Sequence, residues 1–453
     1  MTSVLRINRA SELLSCVPFQ LGFVPQDSLV IISLRGPRRR VGLITRVDIE
    51  ALFLPDSHAI DLMLAHAKSD GASAIVAVLY SNTPDLFTSS EAVDNAQRAF
   101  RLVDAALDES VQFLEAWIVG DNEYSHWIMP DEVGHQPRCV AFQIGDLLFG
   151  GGICSEHCGN PIEFESSSVS AAMVLEGHSV AGNRELLGLI PRATTEERKS
   201  AYEAYRQNTQ ARRATNSVDK RTSWRTKVIE LLVSQITSCN CSGTPGRHCE
   251  VAVSTRELGR IAAGLEDTLI RDAFIVLLTS LGATGGRRLI EIGNELERAR
   301  QDRASARRLA QISGHPSADG PWSGAAGVQN DETERLESLD AELNSIAADA
   351  VDRIVDPRAA EAPDECVVDR ALQLLSALLA TAPSASLAGP RALMALSEWW
   401  RGNGALAHRH VEEGLKISPE YGLLRLVESA LDRGLPPGWR RQDQIFTRLV
   451  DTH

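Results

Sequence analysis

Two groups of cysteines carry the residue types best suited to chemistry in this chain. Cys154 and Cys158 are separated by three residues, with His157 beside the second, in a glycine-rich stretch. Cys239 and Cys241 are separated by one residue and precede His248 and Cys249 across Ser-Gly-Thr-Pro-Gly-Arg, a turn-forming insertion. Tetrahedral zinc takes four thiolate or imidazole ligands, so either group, or both together, offers a zinc site. Neither spacing matches paired Cys-x-x-Cys signatures, and the competing reading is ordinary thiols scattered in loops. A thiol switch is a third use, open to a cysteine whose pKa is depressed.

Other reactive sets are weaker. Cys154, His126 and Asp121 hold the types needed for nucleophilic catalysis, but no elbow motif surrounds any of them. Asp27 and Ser28 stand at the entrance of one strand, and Arg46 and Asp48 alternate along its neighbour. As polar groups at strand ends they are candidates for ligand binding, with turn capping and a surface ion pair as the alternative. Gly150-Gly151-Gly152 lacks the Lys-Ser/Thr ending of a phosphate loop. From Arg287 to Arg308 arginines interleave with Glu and Asp, which marks a solvated face laced with ion pairs; a nucleic-acid groove would add aromatic residues.

The elements that would position these residues fall into two kinds. A strand over Val4–Ile7 and a short helix over Ser11–Phe19 open the chain. Ser28–Leu34 and Val41–Asp48 read as a hairpin across the Gly-Pro-Arg turn between them. Helices over His58–Asp70 and Glu91–Leu107 alternate with strands at Ala74–Tyr80, Val111–Val119 and Tyr124–Met129. The Ala74–Tyr80 run is continuously apolar, as suits a central strand covered on both faces. This alternation predicts an α/β N-terminal domain, a mixed sheet with helices on its faces, over 1–190, with a loop-rich segment from Pro130 to Ser168.

After Thr195 the pattern becomes all-α. Thr194-Thr195-Glu196-Glu197 supplies a cap and acidic first turn. A helical domain is expected over 191–312, a flexible Gly/Pro-rich linker over 313–331, and a helical tail over 332–453. In that tail Gly402, Ala407, Gly414 and Pro419 fall at intervals of five, seven and five residues. The spacing is that of a tetratricopeptide-like helical hairpin, or of a generic helical pair.

Composition bounds the function. The formal net charge of −14 argues against bulk nucleic-acid binding, which rests on neutralising phosphates. No run approaches the length of a membrane span. Pro18 and Pro25 interrupt the only N-terminal apolar stretch, which argues against a signal peptide. The expected setting is cytoplasmic, with reduced thiols.

Gly-Phe-Val-Pro-Gln-Asp-Ser-Leu-Val-Ile-Ile-Ser-Leu-Arg-Gly, followed by Val-Gly-Leu-Ile-Thr-Arg-Val-Asp-Ile, resembles the opening of an actinobacterial family known as domain of unknown function 4192. The segment from Cys154 to Cys158 is similar to that family's middle, and the stretch from Arg391 to Pro437 to its helical tail. The family tends to carry adjacent cysteines after the first, whereas Gly159 follows Cys158 here. The resemblance implies no activity, and enzyme status stays open. The expected role is a non-enzymatic adaptor or regulatory protein that binds a protein partner through its helical C-terminal half. Trp399 and Trp400 are expected to be exposed for that contact. The alternative is an enzyme or sensor taking a small ligand, phosphorylated or not, in the α/β domain. No cofactor beyond zinc is suggested.

Overall fold

The apolar run ending at Tyr80 becomes a strand buried along most of its length, and the first part of the molecule is assembled around it. The computed structural model describes residues 7, 9–86, 88–128, 152–175, 179–214, 217–237, 251–312 and 323–441. The chain divides into two units, Met1–Leu187 and Gly188–His453. Among the described residues no helix is long and apolar enough to cross a membrane.

The first unit holds a six-stranded mixed sheet. Its strands are β1 (Ser28–Arg35), β2 (Arg40–Asp48), β3 (Ala72–Tyr80), β4 (Gln112–Val119), β5 (Tyr124–Ile128) and β6 (Gly152–Gly159), in the order β2-β1-β3-β4-β5-β6. β3 and β4 run parallel, with the helix α4 (Ser90–Ala106) between them in sequence; the other neighbours are antiparallel. β3 thus sits inside the sheet, as its unbroken apolar character requires. Alternation along the strands sends Leu29, Ile31, Ile75, Leu79, Ile118 and Trp127 into one core with Met63 of α3 (Ala59–Ser69) and Phe100 of α4. The opposite face carries Ser28, Val30, Arg46, Tyr80 and Trp117. On this side α1 (Ala10–Leu21) packs with two short helices, α5 (Ile162–Glu165) and α6 (Ser168–Leu175). A single helical turn, α2 (Ile49–Leu52), follows β2.

The β1–β2 hairpin is pinned by one carboxylate. Asp70 accepts hydrogen bonds from Ser33 Oγ at 2.6 Å, Arg35 Nε at 2.8 Å and the Leu43 amide at 2.7 Å. Gly42 makes room for it: a Cβ there would lie 2.2 Å from Asp70 Oδ2.

Every regular element among the described residues of the second unit is a helix. Its longer helices are α7 (Thr195–Ala214), α8 (Val218–Ile236), α9 (Thr255–Gly264), α10 (Thr268–Leu278), α11 (Gly282–Ile312), α12 (Ser323–Val355), α13 (Glu365–Thr381), α14 (Ala388–Arg401), α15 (Gly404–Ile417) and α16 (Gly422–Asp432). The expected cap at Thr194 forms: its amide and hydroxyl both donate to Glu197, at 2.9 and 2.7 Å. Ser254 and Glu257 make the same reciprocal box ahead of α9.

Several expectations change. The stretch over 130–168, read as loop-rich, contains β6, so Cys154, His157 and Cys158 lie on an edge strand. The helical residues before and after the expected linker do not form separate domains. Val228, Leu277, Leu378 and Trp400 belong to one continuous core. Residues 323–331 begin α12, and 313–322 lie outside the described residues, as does most of the Val4–Ile7 strand. Glycine and proline there suggested a flexible segment, but helix packing further along α12 carries the helical backbone through Gly324 and Gly327. The α14–α15 hairpin is present, turning at Gly402 with φ 91°. Gly414 admits Leu424 of α16, whose Cδ1 would lie 2.6 Å from an added Cβ. One such hairpin is not a repeat array, and the tetratricopeptide comparison goes no further than residue spacing.

Candidate functional site

The polar strand-end residues are brought together, and each has a local partner. Ser28 is fully buried and its hydroxyl donates to the Gln26 carbonyl at 2.9 Å. Asp27 adopts a left-handed backbone, φ 37°, and its carboxylate accepts the Asn82 amide at 2.9 Å. Asp and Asn tolerate this conformation best among side-chain-bearing residues, so the turn alone accounts for Asp27. Arg46 pairs with Asp48 and lies over the Phe23 ring, 5.7 Å from its centroid, and Arg184 reaches Asp48 at 3.5 Å. Burial holds the Arg46 guanidinium below its usual pKa, against the opposing pull of Asp48.

For the candidate zinc ligands, Cys239, Cys241, His248 and Cys249 lie outside the described residues, as does the Cys154 side chain. Cys158 is exposed on β6. Of the hypothetical catalytic set, His126 is on β5, packed edge-on to Trp117 with centroids 5.1 Å apart, and Asp121 lies in the turn before it.

Trp399 and Trp400 are corrected: both are buried, at 5% and 1% exposure. Each indole is also consumed by a hydrogen bond. Trp399 Nε1 donates to the Leu435 carbonyl at 2.9 Å and Trp400 Nε1 to the Glu361 carbonyl at 3.1 Å. Trp439 Nε1 returns a bond to the Trp400 carbonyl at 2.8 Å. Together these clasp the segments around residues 361 and 435–439 onto α14, so the tandem tryptophans build the core of the unit rather than its surface.

An open cleft in the second unit, of about 440 Å³, lies among α7, α8 and α9. α8 contributes Asp219, Lys220, Ser223, Trp224 and Lys227, α7 contributes Asn208, and α9 contributes Arg260. Lys220, Ser223, Trp224 and Lys227 recur at the i, i+3, i+4 and i+7 spacing that lines up one face of a helix. Two glycines set the cleft's walls. At Gly259 a Cβ would lie 2.3 Å from the Ala201 carbonyl, so α9 crosses directly on the backbone of α7. At Gly264 it would lie 2.7 Å from Val228 Cγ1, so α9 also seats closely on α8.

Charge in the cleft is lopsided because neighbouring carboxylates are engaged elsewhere. Arg225 takes Asp267 at 2.9 Å and Glu297 at 2.6 Å, and Arg221 takes Glu297 at 2.5 Å. Arg212 holds Glu266 at 2.7 Å, and Glu257 accepts from Ser254, with Arg260 near enough to add to the lowering of its pKa. Asp219 faces Arg298 of α11 at 3.2 Å. Lys220, Lys227 and Arg260 make no ion pair among the described residues. Three cations therefore stand around a half-buried indole in a chain whose net charge is −14. The Trp224 Nε1 is itself buried without a hydrogen-bond partner.

The sequence profile of the family described as Domain of unknown function (DUF4192) matches residues 11–292 and 283–438. The chain belongs to this family. No curated protein and no solved structure matches it. The first matched stretch takes in the whole cleft, and the second takes in the tryptophan clasp up to residue 438, one short of Trp439. Reading the chain for chemistry missed the cleft. The one signal available was Lys220-Trp224-Lys227 at helical spacing.

Proposed function

We propose that this family member is a cytoplasmic, non-enzymatic adaptor or regulatory protein whose helical unit binds an acidic segment of a protein partner in the α7–α8–α9 cleft. The observation that carries the reading is the grouping of Lys220, Lys227 and Arg260 around Trp224, with neither lysine in an ion pair among the described residues and Arg260 acting on Glu257 only at longer range. Tryptophan and arginine are the residues that dominate the energetics of protein interfaces, and charges left unpaired at a surface select an oppositely charged partner. The cleft is open and shallow, which suits a chain segment better than a small molecule that must be largely enclosed. The rival, a small ligand at Asp27, Arg46 and Asp48, has less support because Asp27 is taken by the Asn82 amide and Arg46 is paired with Asp48.

The test is affinity capture from native lysate with the full chain and with a Lys220→Glu/Lys227→Glu variant, followed by direct titration of synthetic segments from any partner recovered. A partner lost on charge reversal, whose acidic segment binds the wild type more weakly as salt rises, is the expected result. A partner set unchanged by the double reversal would refute the reading.

A further inference from the structure

Lined by Lys220, Lys227, Arg260 and Ser223, the cleft is rich in donors and poor in acceptors. Lysine and arginine side chains only donate. Asp219, the one carboxylate in the lining, faces Arg298. A carboxylate brings one charge and two oxygens, which would leave part of this lining unmatched. A phosphoryl group brings up to two negative charges and three strong acceptor oxygens, and guanidinium and ammonium groups bind it through charge-assisted hydrogen bonds. The helical placement fits such a group. Lys220 and Lys227 flank Ser223 and Trp224 on a single face of α8, with Arg260 contributed by α9, so cations from two helices border one recess. Arg225 and Arg221 remove the nearby carboxylates that would repel a dianion.

We propose that the anionic group recognised by the α7–α8–α9 cleft is a phosphoryl group carried on the partner's chain, as phosphoserine or phosphothreonine. This rests on the partner-binding reading above and narrows it: the helical unit would report the phosphorylation state of the segment it binds. The planar fork of Arg260 grips the phosphoryl oxygens, the two lysines supply point charges, and the half-buried Trp224 ring packs beside the flanking residues of the segment.

The test uses the full chain and three degenerate peptide pools, identical except for a central phosphoserine, glutamate or serine, measured by fluorescence anisotropy. The expected result is that the phosphoserine pool binds roughly tenfold or more tightly than the glutamate pool, since one or two added charge-assisted bonds are worth that ratio. Its binding should weaken as pH falls through about 6, where a phosphate monoester loses its second charge; a carboxylate keeps its charge until nearer 4. Lys220→Ala/Lys227→Ala should abolish the preference with the thermal melt unchanged. Arg260→Lys, which keeps the charge and removes the fork, should narrow it, and provides a second folded variant. Equal binding of the phosphoserine and glutamate pools overturns this inference and leaves the acidic-segment reading standing. Competition by free phosphoserine or inorganic phosphate at the pool's own concentration overturns it too, because the ligand is then the phosphoryl group without a chain. No binding by any pool, together with an unchanged partner set in the capture experiment, overturns both.

Discussion

Replacing Trp400 with alanine should cripple the helical unit, and the size of the effect separates a core residue from a docking residue. The side chain is 1% exposed and lies in the continuous core that also holds Leu378, Leu393 and Val411. Truncating a buried tryptophan costs about 3–5 kcal/mol through lost transfer energy and the cavity left behind. The Glu361 carbonyl also loses its donor at 3.1 Å, which adds roughly 1 kcal/mol. Domains are stable by only about 5–15 kcal/mol, so the variant should keep little margin. Trp400→Phe retains most of the apolar volume and deletes the N–H, and should cost about 1–2 kcal/mol. Urea unfolding of the full chain, followed by far-ultraviolet circular dichroism, would measure both against wild type, with the transition of the helical unit moving to lower urea. Exposed surface substitutions fall within about 0.5 kcal/mol. A loss that small for Trp400→Ala in a folded protein would refute its placement in the core.

Two further outcomes follow from the same unit. Gly259→Ala drives a methyl against the Ala201 carbonyl, so α9 must lift from α7; a cost of about 1–3 kcal/mol and weaker binding in the cleft are expected, and an unchanged melting temperature would contradict the close crossing. His410 is 1% exposed, and burial, then the nearby Arg391 and Arg409, push its pKa down to about 3 against a weaker upward pull from Glu413. Its Nδ1 accepts from Arg391 Nη1 at 2.7 Å, so the folded state holds the neutral ring. Between about pH 6.5 and pH 3 the unfolded chain binds the proton and the folded chain does not, so this contribution is full above 6.5 and is lost as pH falls through that window. Unfolding free energies measured across it should decline less steeply in His410→Gln, and equal slopes would place the ring's titration elsewhere.

The sequence by itself determined most of the elements, because the signals that set them are local. The apolar run ending at Tyr80, the arginine- and glycine-rich turn of the hairpin, and the Thr194 cap act within a few residues, and their elements formed within one or two residues of the expected ends. The polar residues Asp27, Arg46 and Asp48 were correctly seen as standing near one another, since strand register follows from the hairpin. Which of them was already satisfied depended on Gln26, Asn82 and Arg184, and the last is far away in the chain.

Tertiary structure decided what covers what. The tandem Trp399-Trp400 at the end of an amphipathic helix reads as an exposed pair until residues 435–439, some forty positions later, close over it. Glycines at 324 and 327 read as a linker until the helix that follows them docks in the core. The same holds for the cleft. Lys220, Trp224 and Lys227 look like the ordinary solvated side of a helix, and the tryptophan alone distinguishes them locally from the mixed charges of α11. They became a site because Gly259 and Gly264 let α9 approach α7 and α8 closely enough to bring Arg260 alongside, while Arg221 and Arg225 drew the neighbouring carboxylates to α8's other side. Local propensity specifies a helix and its polar face; only helix packing determines which part of that face remains open and which of its charges remain unpaired.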